Sequence, residues 1–162
     1  MTEAFFLLTF LTLQRLLELV ISRRNTENLL ASGAKEFGSE HYIYMVLLHG
    51  SWLVLLWMLG GHNDVSYFWL AIFIVLQFGR LWVLMTLKSR WTTRIIVLPN
   101  ADLVKKGPFQ FVRHPNYWVV IGEIAVVPLA LGLIWVAVIY TVLNAWMLWV
   151  RIGVENEALS NR

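Results

Sequence analysis

From Trp118 to Val150 the chain runs for 33 residues with a single charged side chain, Glu123. As one helix this run would reach about 50 Å at 1.5 Å per residue, well beyond a hydrocarbon core of about 30 Å. It must fold back on itself. Pro128 and Gly132, in "VPLALGLIW", stand where a turn can divide it. The run is therefore expected to form two helices, 116–130 and 134–151, joined as a tight hairpin. Three further apolar stretches, 4–21, 43–60 and 66–87, each have the length of a single span. The expected fold is all-α, a polytopic membrane bundle of about five transmembrane helices with the last two forming the hairpin.

Composition agrees with that class. Only 14% of the residues are charged and 59% are hydrophobic, against roughly a quarter charged in a soluble domain. Nine tryptophans suit a chain with two membrane–water interfaces to line. No internal repeat, linker or low-complexity tract divides residues 1–162, so one integral-membrane domain is expected. The N-terminal stretch lacks the basic flank and small-residue cleavage site of a signal peptide and reads as a retained helix. The chain has no cysteine, which excludes disulfides, thiolate nucleophiles and Cys-ligated metals, and no metal site is expected.

The basic residues gather in two segments. Residues 22–42 carry Arg23, Arg24 and Lys35, and residues 88–115 carry Lys88, Arg90, Arg94, Lys105, Lys106 and Arg113. Residues 61–65 and the tip near Gly132 carry no lysine or arginine. The positive-inside rule then places both basic segments and the C-terminus in the cytoplasm and the N-terminus outside. The net charge of +3 reflects these loops. Without a dense basic stripe, no nucleic-acid partner is expected.

Several polar residues interrupt the apolar stretches, where ionisable groups are costly and face the bundle interior. Gln14, Arg15, Glu18 and Ser22 share one helical face, and Arg15 and Glu18, three apart, can pair. A structural ion pair that fixes helix packing is the simplest reading of them. His49, Gln77 and Arg80 are similar cases, with Arg80 close enough to a basic end to snorkel. In the last stretch Tyr140, Asn144, Arg151 and Glu155 follow at spacings of four, seven and four. They form a single face running from the bilayer out past its edge.

The polar knot "GPFQFVRHPNYW", residues 107–118, opens the other arm of the hairpin, with Pro115 in the first helical turn. The hairpin returns the knot and residues 151–157 to the same membrane face. His114, Tyr117, Arg151 and Glu155 are thereby expected to converge, with Glu123 behind them. A polar cofactor can enter such a place from water and a greasy substrate from lipid.

The string "GPFQFVRHPNY", with Glu123, Pro128 and then "RIGVENEAL", resembles the isoprenylcysteine carboxyl methyltransferase family. The likeness continues through "RWTTRIIVLPNADLVKKGPF", while "QRLLELVISRRN" and "GAKEFGSEHY" resemble its bacterial branch. The resemblance implies an integral-membrane O-methyltransferase of a bacterial cytoplasmic membrane. It would move a methyl group from S-adenosyl-L-methionine to a carboxylate or hydroxyl of a lipophilic acceptor. An isoprenylcysteine-like group or a long-chain pyrone- or phenol-like group are the candidates. It places the cofactor-binding half at about 88–162, with Gly107 and Pro108 in the lining loop. His114, Pro115 and Tyr117 form the core motif, and Glu155 and Asn156 the C-terminal part. Asn156 stands where the family usually has a second acid. Arg151 or Arg113 would hold an anionic acceptor, and Glu123 would support the catalytic centre. The alternatives are an NADPH-dependent isoprenoid or sterol reductase, which shares the RHPNY string, and a non-enzymatic membrane subunit.

Overall fold

The structure is a computed structural model and describes residues 2–99 and 101–160. Five helices follow one another: α1 (Thr2–Ala31), α2 (Ser39–Gly60), α3 (Tyr67–Leu87), α4 (Pro115–Ala130) and α5 (Ile134–Ser160). Four of them, all but α4, are long and apolar enough to cross a membrane. The 16 residues of α4 span about 24 Å at 1.5 Å each. Among the described residues, large apolar side chains such as Phe6, Val20, Val75, Phe78, Trp135 and Trp149 point outward, as lipid-facing positions do. Inside, Leu8, Leu11, Trp52, Leu56, Ile124, Val127 and Leu131 are almost completely covered. Together they join α1, α2, α4 and the α4–α5 turn in one apolar core.

The hairpin forms where the sequence places it. Leu131 ends α4, and Gly132 takes φ 73°, a left-handed conformation open to glycine at little cost. Leu133 N–H then donates to Pro128 O at 2.8 Å and Gly132 N–H to Leu129 O at 3.1 Å. This pair of bonds is the Schellman helix ending, which satisfies the last carbonyls of α4. Pro128 sits in the final turn, where it has no N–H to offer the Ile124 carbonyl and so weakens the helix just where the chain reverses. Three residues suffice for the reversal, so α4 and α5 pack side by side along their shared length.

One expectation needs correction. Residues 22–31 are not loop: α1 continues beyond the apolar stretch to Ala31, carrying Arg23 and Arg24 on a helical extension. There Arg23 Nε donates to Glu27 at 3.0 Å in an i,i+4 pair of the kind that supports an exposed helix. Within the expected all-α class, the described residues add one small two-stranded ribbon. Lys35–Phe37 (β1) pairs antiparallel with Ile95–Val97 (β2), Glu36 opposite Ile96. Ile95 and Val97 turn their side chains onto Ala158, with Phe37, Val154 and Leu159 around them. This second, small core clamps the end of α5 to the segment that follows α3. Asn25 strengthens the same end by donating to the carbonyls of Lys88 (3.2 Å) and Trp91 (2.8 Å).

Candidate functional site

Two polar clusters result, one inside the bundle and one at its ribbon-bearing end. The inner cluster joins three helices. Glu123 of α4, with no exposed surface, accepts from Gln77 Nε2 at 2.7 Å, from Arg80 Nε at 2.8 Å and Nη2, and from Arg15 Nη2 at 2.5 Å. Glu18 accepts from Arg80 Nη1 at 2.9 Å and from Arg15 Nη1 at 3.2 Å. Gln14 Nε2 completes the link by donating to Gln77 Oε1 at 2.7 Å. Two guanidiniums meet two carboxylates, and the cluster is neutral. Arg15 and Glu18 do pair as expected. Arg80 does not snorkel: it is 3% exposed, because α1 and α4 supply carboxylates that a single-helix view does not contain.

The outer cluster is built on the hairpin. His114 precedes α4 as its N-cap, and Pro115 fills the first helical position, where a missing N–H costs nothing. Tyr117 follows within the first turn, its ring stacked on His114 with centroids 5.4 Å apart. Glu155 reaches back from α5: Tyr117 Oη donates to its Oε2 at 2.5 Å, and His114 Nδ1 lies 3.6 Å from the same oxygen. Arg151, one turn earlier, donates from Nε to Tyr117 Oη at 3.0 Å, from Nη2 to Thr93 O at 2.5 Å and from Nη1 to Met45 Sδ at 3.4 Å. The Glu155 carboxylate, as hydrogen-bond acceptor first and as charge second, raises the His114 pKa above the usual imidazole value. Asn156 adds to the rise, while desolvation and Arg113 oppose it.

A cavity of about 1370 Å³ opens beside this cluster and runs into the bundle between α1, α2 and α5. His114, Pro115, Tyr117, Arg151, Glu155 and Asn156 line it, with Arg113 exposed at its rim. Gly107 and Pro108 do not line it. They seat the loop instead: Gly107 takes φ 61° with Thr86 against it, and Pro108 is buried. Glu123 also lies off the cavity wall, within the ion network. The sequence reading missed Thr93, Tyr42 and Met45, all of which line the cavity. Thr93 contributes a backbone carbonyl to Arg151, a role its side-chain identity does not advertise. Met45 and Tyr42 lie on α2 among ordinary apolar neighbours.

Helices fit to cross a membrane, with a polar cluster opening on an internal cavity, define an integral-membrane protein with a candidate site. Residues 69–161 match the family model described as the isoprenylcysteine carboxyl methyltransferase (ICMT) family. The match takes in α3, α4, α5 and both halves of the outer cluster. The chain belongs to that family, which is one of membrane methyltransferases. It is 37% identical over 158 residues to YpbQ of Bacillus subtilis (strain 168), an uncharacterized protein, with 94% of each chain covered. It is 28% identical over 153 residues to an uncharacterized protein of Haemophilus influenzae, covering 91% of this chain and 89% of that one. No solved structure gives a significant match.

Proposed function

We propose that the protein is an S-adenosyl-L-methionine-dependent O-methyltransferase acting on a lipophilic acceptor dissolved in the membrane. The observation that carries the reading is the continuity of one cavity from the His114–Tyr117–Arg151–Glu155 cluster into the bundle. Its volume exceeds the ~300–1,000 Å³ of an ordinary small-molecule site, which leaves space for a cofactor and an acceptor end to end. Leu16, Leu19 and Val46, which border it from α1 and α2, are themselves exposed on the outer surface. A greasy acceptor has a route in from lipid there, while the loop end of the cavity admits a polar cofactor.

The donor set suits a sulfonium amino acid joined to a nucleoside. Glu155 and Arg151 offer opposite charges for the ammonium and carboxylate of its methionine end. Asn116 Oδ1, on a residue that lines the cavity, is buried without a hydrogen-bond partner among the described residues and supports the same reading, since such an atom calls for a donor. Asn156 can bind a ribose hydroxyl or an adenine edge, and Tyr117 offers an aromatic face for stacking. The cofactor, when bound, supplies an activated methyl group on a good leaving group. The protein's task is then alignment, for which proximity and orientation can contribute about 7–11 kcal/mol. Arg151, held by Tyr117 and Thr93, would steady an anionic acceptor oxygen. Arg113 at the rim is the second cation available to it. Glu123 acts through the ion network, fixing α4 and hence the position of the knot. A carboxylate or acidic hydroxyl, isoprenylcysteine-like or pyrone- or phenol-like, needs no strong base beside it.

In the same reading the ribbon, the knot and the end of α5 face the cytoplasm of a bacterial cell, and the start of α1 faces outside. The membrane lipid and the acceptor are the partners, without nucleic acid. The test is a titration of purified protein in detergent with S-adenosylhomocysteine and, separately, NADPH. A specific ligand raises the melting temperature by mass action. Micromolar binding of S-adenosylhomocysteine without NADPH binding is the expected result. Saturable NADPH binding alone would overturn the proposal in favour of a reductase.

A further inference from the structure

The inner half of the cavity is lined by polar groups that no neighbour satisfies. Asn144 of α5 is 1% exposed, and neither its Nδ2 nor its Oδ1 has a hydrogen-bond partner among the described residues. Trp52 of α2 is 1% exposed, and among the described residues its Nε1–H is equally unpartnered, as is Nε of Arg15. All three residues line the cavity, and so does His49. His49 Nδ1 lies 2.9 Å from Met45 O, a carbonyl that can only accept. Nδ1 therefore carries the proton, which leaves Nε2 as an acceptor.

Two ties set α2 against α5. Tyr140 Oη donates to Ser51 Oγ at 3.0 Å, and Arg151 Nη1 donates to Met45 Sδ at 3.4 Å. His49 and Asn144 fall between these ties on their helices, so both belong to one level of the cavity, with Trp52 just beyond. That level lies about 10 Å along α5 from Arg151, seven residues at 1.5 Å each. A buried polar group without a partner costs about 1–3 kcal/mol, and native interiors rarely leave several together. Arg15 has its place in the ion network, but that network closes without Asn144, Trp52 or His49 and accounts for none of those three.

We propose that Asn144, Trp52 and His49 form a hydrogen-bonding subsite that reads a second polar group on the acceptor, apart from the oxygen that is methylated. The inference rests on the cavity's role as acceptor site under the proposed function. A carboxamide presents a donor and an acceptor side by side. Its match is a group offering both in return: a hydroxyl, a carboxyl or an enolised carbonyl. Trp52 N–H adds a donor and His49 Nε2 an acceptor, so the subsite favours a neutral oxygen-bearing group over an ammonium. An acceptor with one polar group would leave Asn144 unpaired, which is how such sites reject analogues lacking a hydroxyl. Specificity for a doubly oxygenated head then comes from α2 and α5, and the methyl-donor side is untouched by it.

The test compares two amphiphiles with the same tail, pentadecylresorcinol with two ring hydroxyls and pentadecylphenol with one. Each is titrated into detergent-purified protein by tryptophan quenching, without cofactor and again with S-adenosylhomocysteine. The parent is expected to bind the diol at least about tenfold more tightly, the discrimination a missing hydrogen-bonded group commonly causes. Asn144→Leu should abolish that preference while S-adenosylhomocysteine binds as before. Trp52→Phe, which deletes an N–H and keeps an aromatic ring, should reduce the preference and serves if Asn144→Leu does not fold. Equal binding of both amphiphiles by the parent would mean that water alone satisfies these groups, and the proposal fails. Retention of the diol preference in both variants overturns it too. Failure of S-adenosylhomocysteine to bind would instead overturn the methyltransferase reading, and the cofactor-free titrations keep the two failures separate.

Discussion

Replacing Glu123 by glutamine removes one negative charge from a neutral cluster of four while keeping size and a carbonyl acceptor. Glu123 has no exposed surface and Arg80 is 3% exposed, so water has little access to that pair, while Arg15, 17% exposed on the cavity wall, is the less sheltered partner. Arg15 and Arg80 would be left with Glu18 as their shared carboxylate. Breaking a buried pair by neutralising one partner costs about 3–5 kcal/mol. At about 2–4 °C per kcal/mol for a chain of this length, the melting temperature should fall by roughly 6–20 °C. Thermal unfolding in detergent, followed by tryptophan fluorescence, measures it. The companion double variant Arg15→Gln with Glu123→Gln restores neutrality and should recover part of the loss. A single variant that melts like the parent, or a double variant that melts below the single, refutes the charge-balance reasoning. Unchanged affinity for S-adenosylhomocysteine is expected in whatever fraction remains folded. A loss of affinity at unchanged melting temperature would move Glu123 from packing to chemistry.

Tyr117→Phe deletes the hydroxyl that links Glu155 to Arg151. Hydrogen bonds to charged groups contribute about 1.5–3 kcal/mol, so S-adenosylhomocysteine affinity should fall by at least about tenfold, read by calorimetry. The raised His114 pKa sets a sign for pH dependence. Its stabilising pairing with Glu155 is complete below the unfolded imidazole value of about 6.5. It is lost as pH rises through the higher folded value. Melting temperature should therefore drop on that alkaline limb, and His114→Gln should flatten the profile. Gly107→Ala forces a Cβ at φ 61° to within 2.5 Å of Thr86 Oγ1. The left-handed conformation alone costs about 1–2 kcal/mol, and a lower melting temperature is expected. Gly50 of α2 borders the cavity with nothing within 4 Å of an added Cβ. Gly50→Leu should leave melting temperature level or higher and weaken amphiphile binding.

The hairpin and the meeting of the knot with Arg151 and Glu155 are legible in the sequence, because they follow from length and helical spacing. One run too long for the bilayer, one Pro–Gly break and one polar face suffice. The fate of Arg80 is not legible in the same way. Its partners lie 62 and 43 residues away on other helices, and nothing local distinguishes a buried guanidinium from one that reaches for the interface. The ribbon is hidden for a different reason: three residues per strand, "KEF" and "IIV", are too short to show alternation. Its strength comes from Ala158 and Val154 packing on one side, a contact between distant parts of the chain. Thr93 serves Arg151 through its carbonyl, and backbone atoms leave no trace in residue identity.

The order of the chain gives the two polar clusters different histories during synthesis. The ion network draws on α1, α3 and α4, so all its members precede α5 in the chain and emerge from the ribosome ahead of it. It can close on a four-helix intermediate and lock the knot's helix in place with no net charge buried. The outer cluster must wait. Arg151 and Glu155 emerge after the network's members, and the small core that holds them needs Val154 and Ala158 against β2. Under the proposed function, a nascent chain would therefore be blind to a cofactor until α5 docks. Ligand binding would then double as a sign that α5 has taken its place against α4.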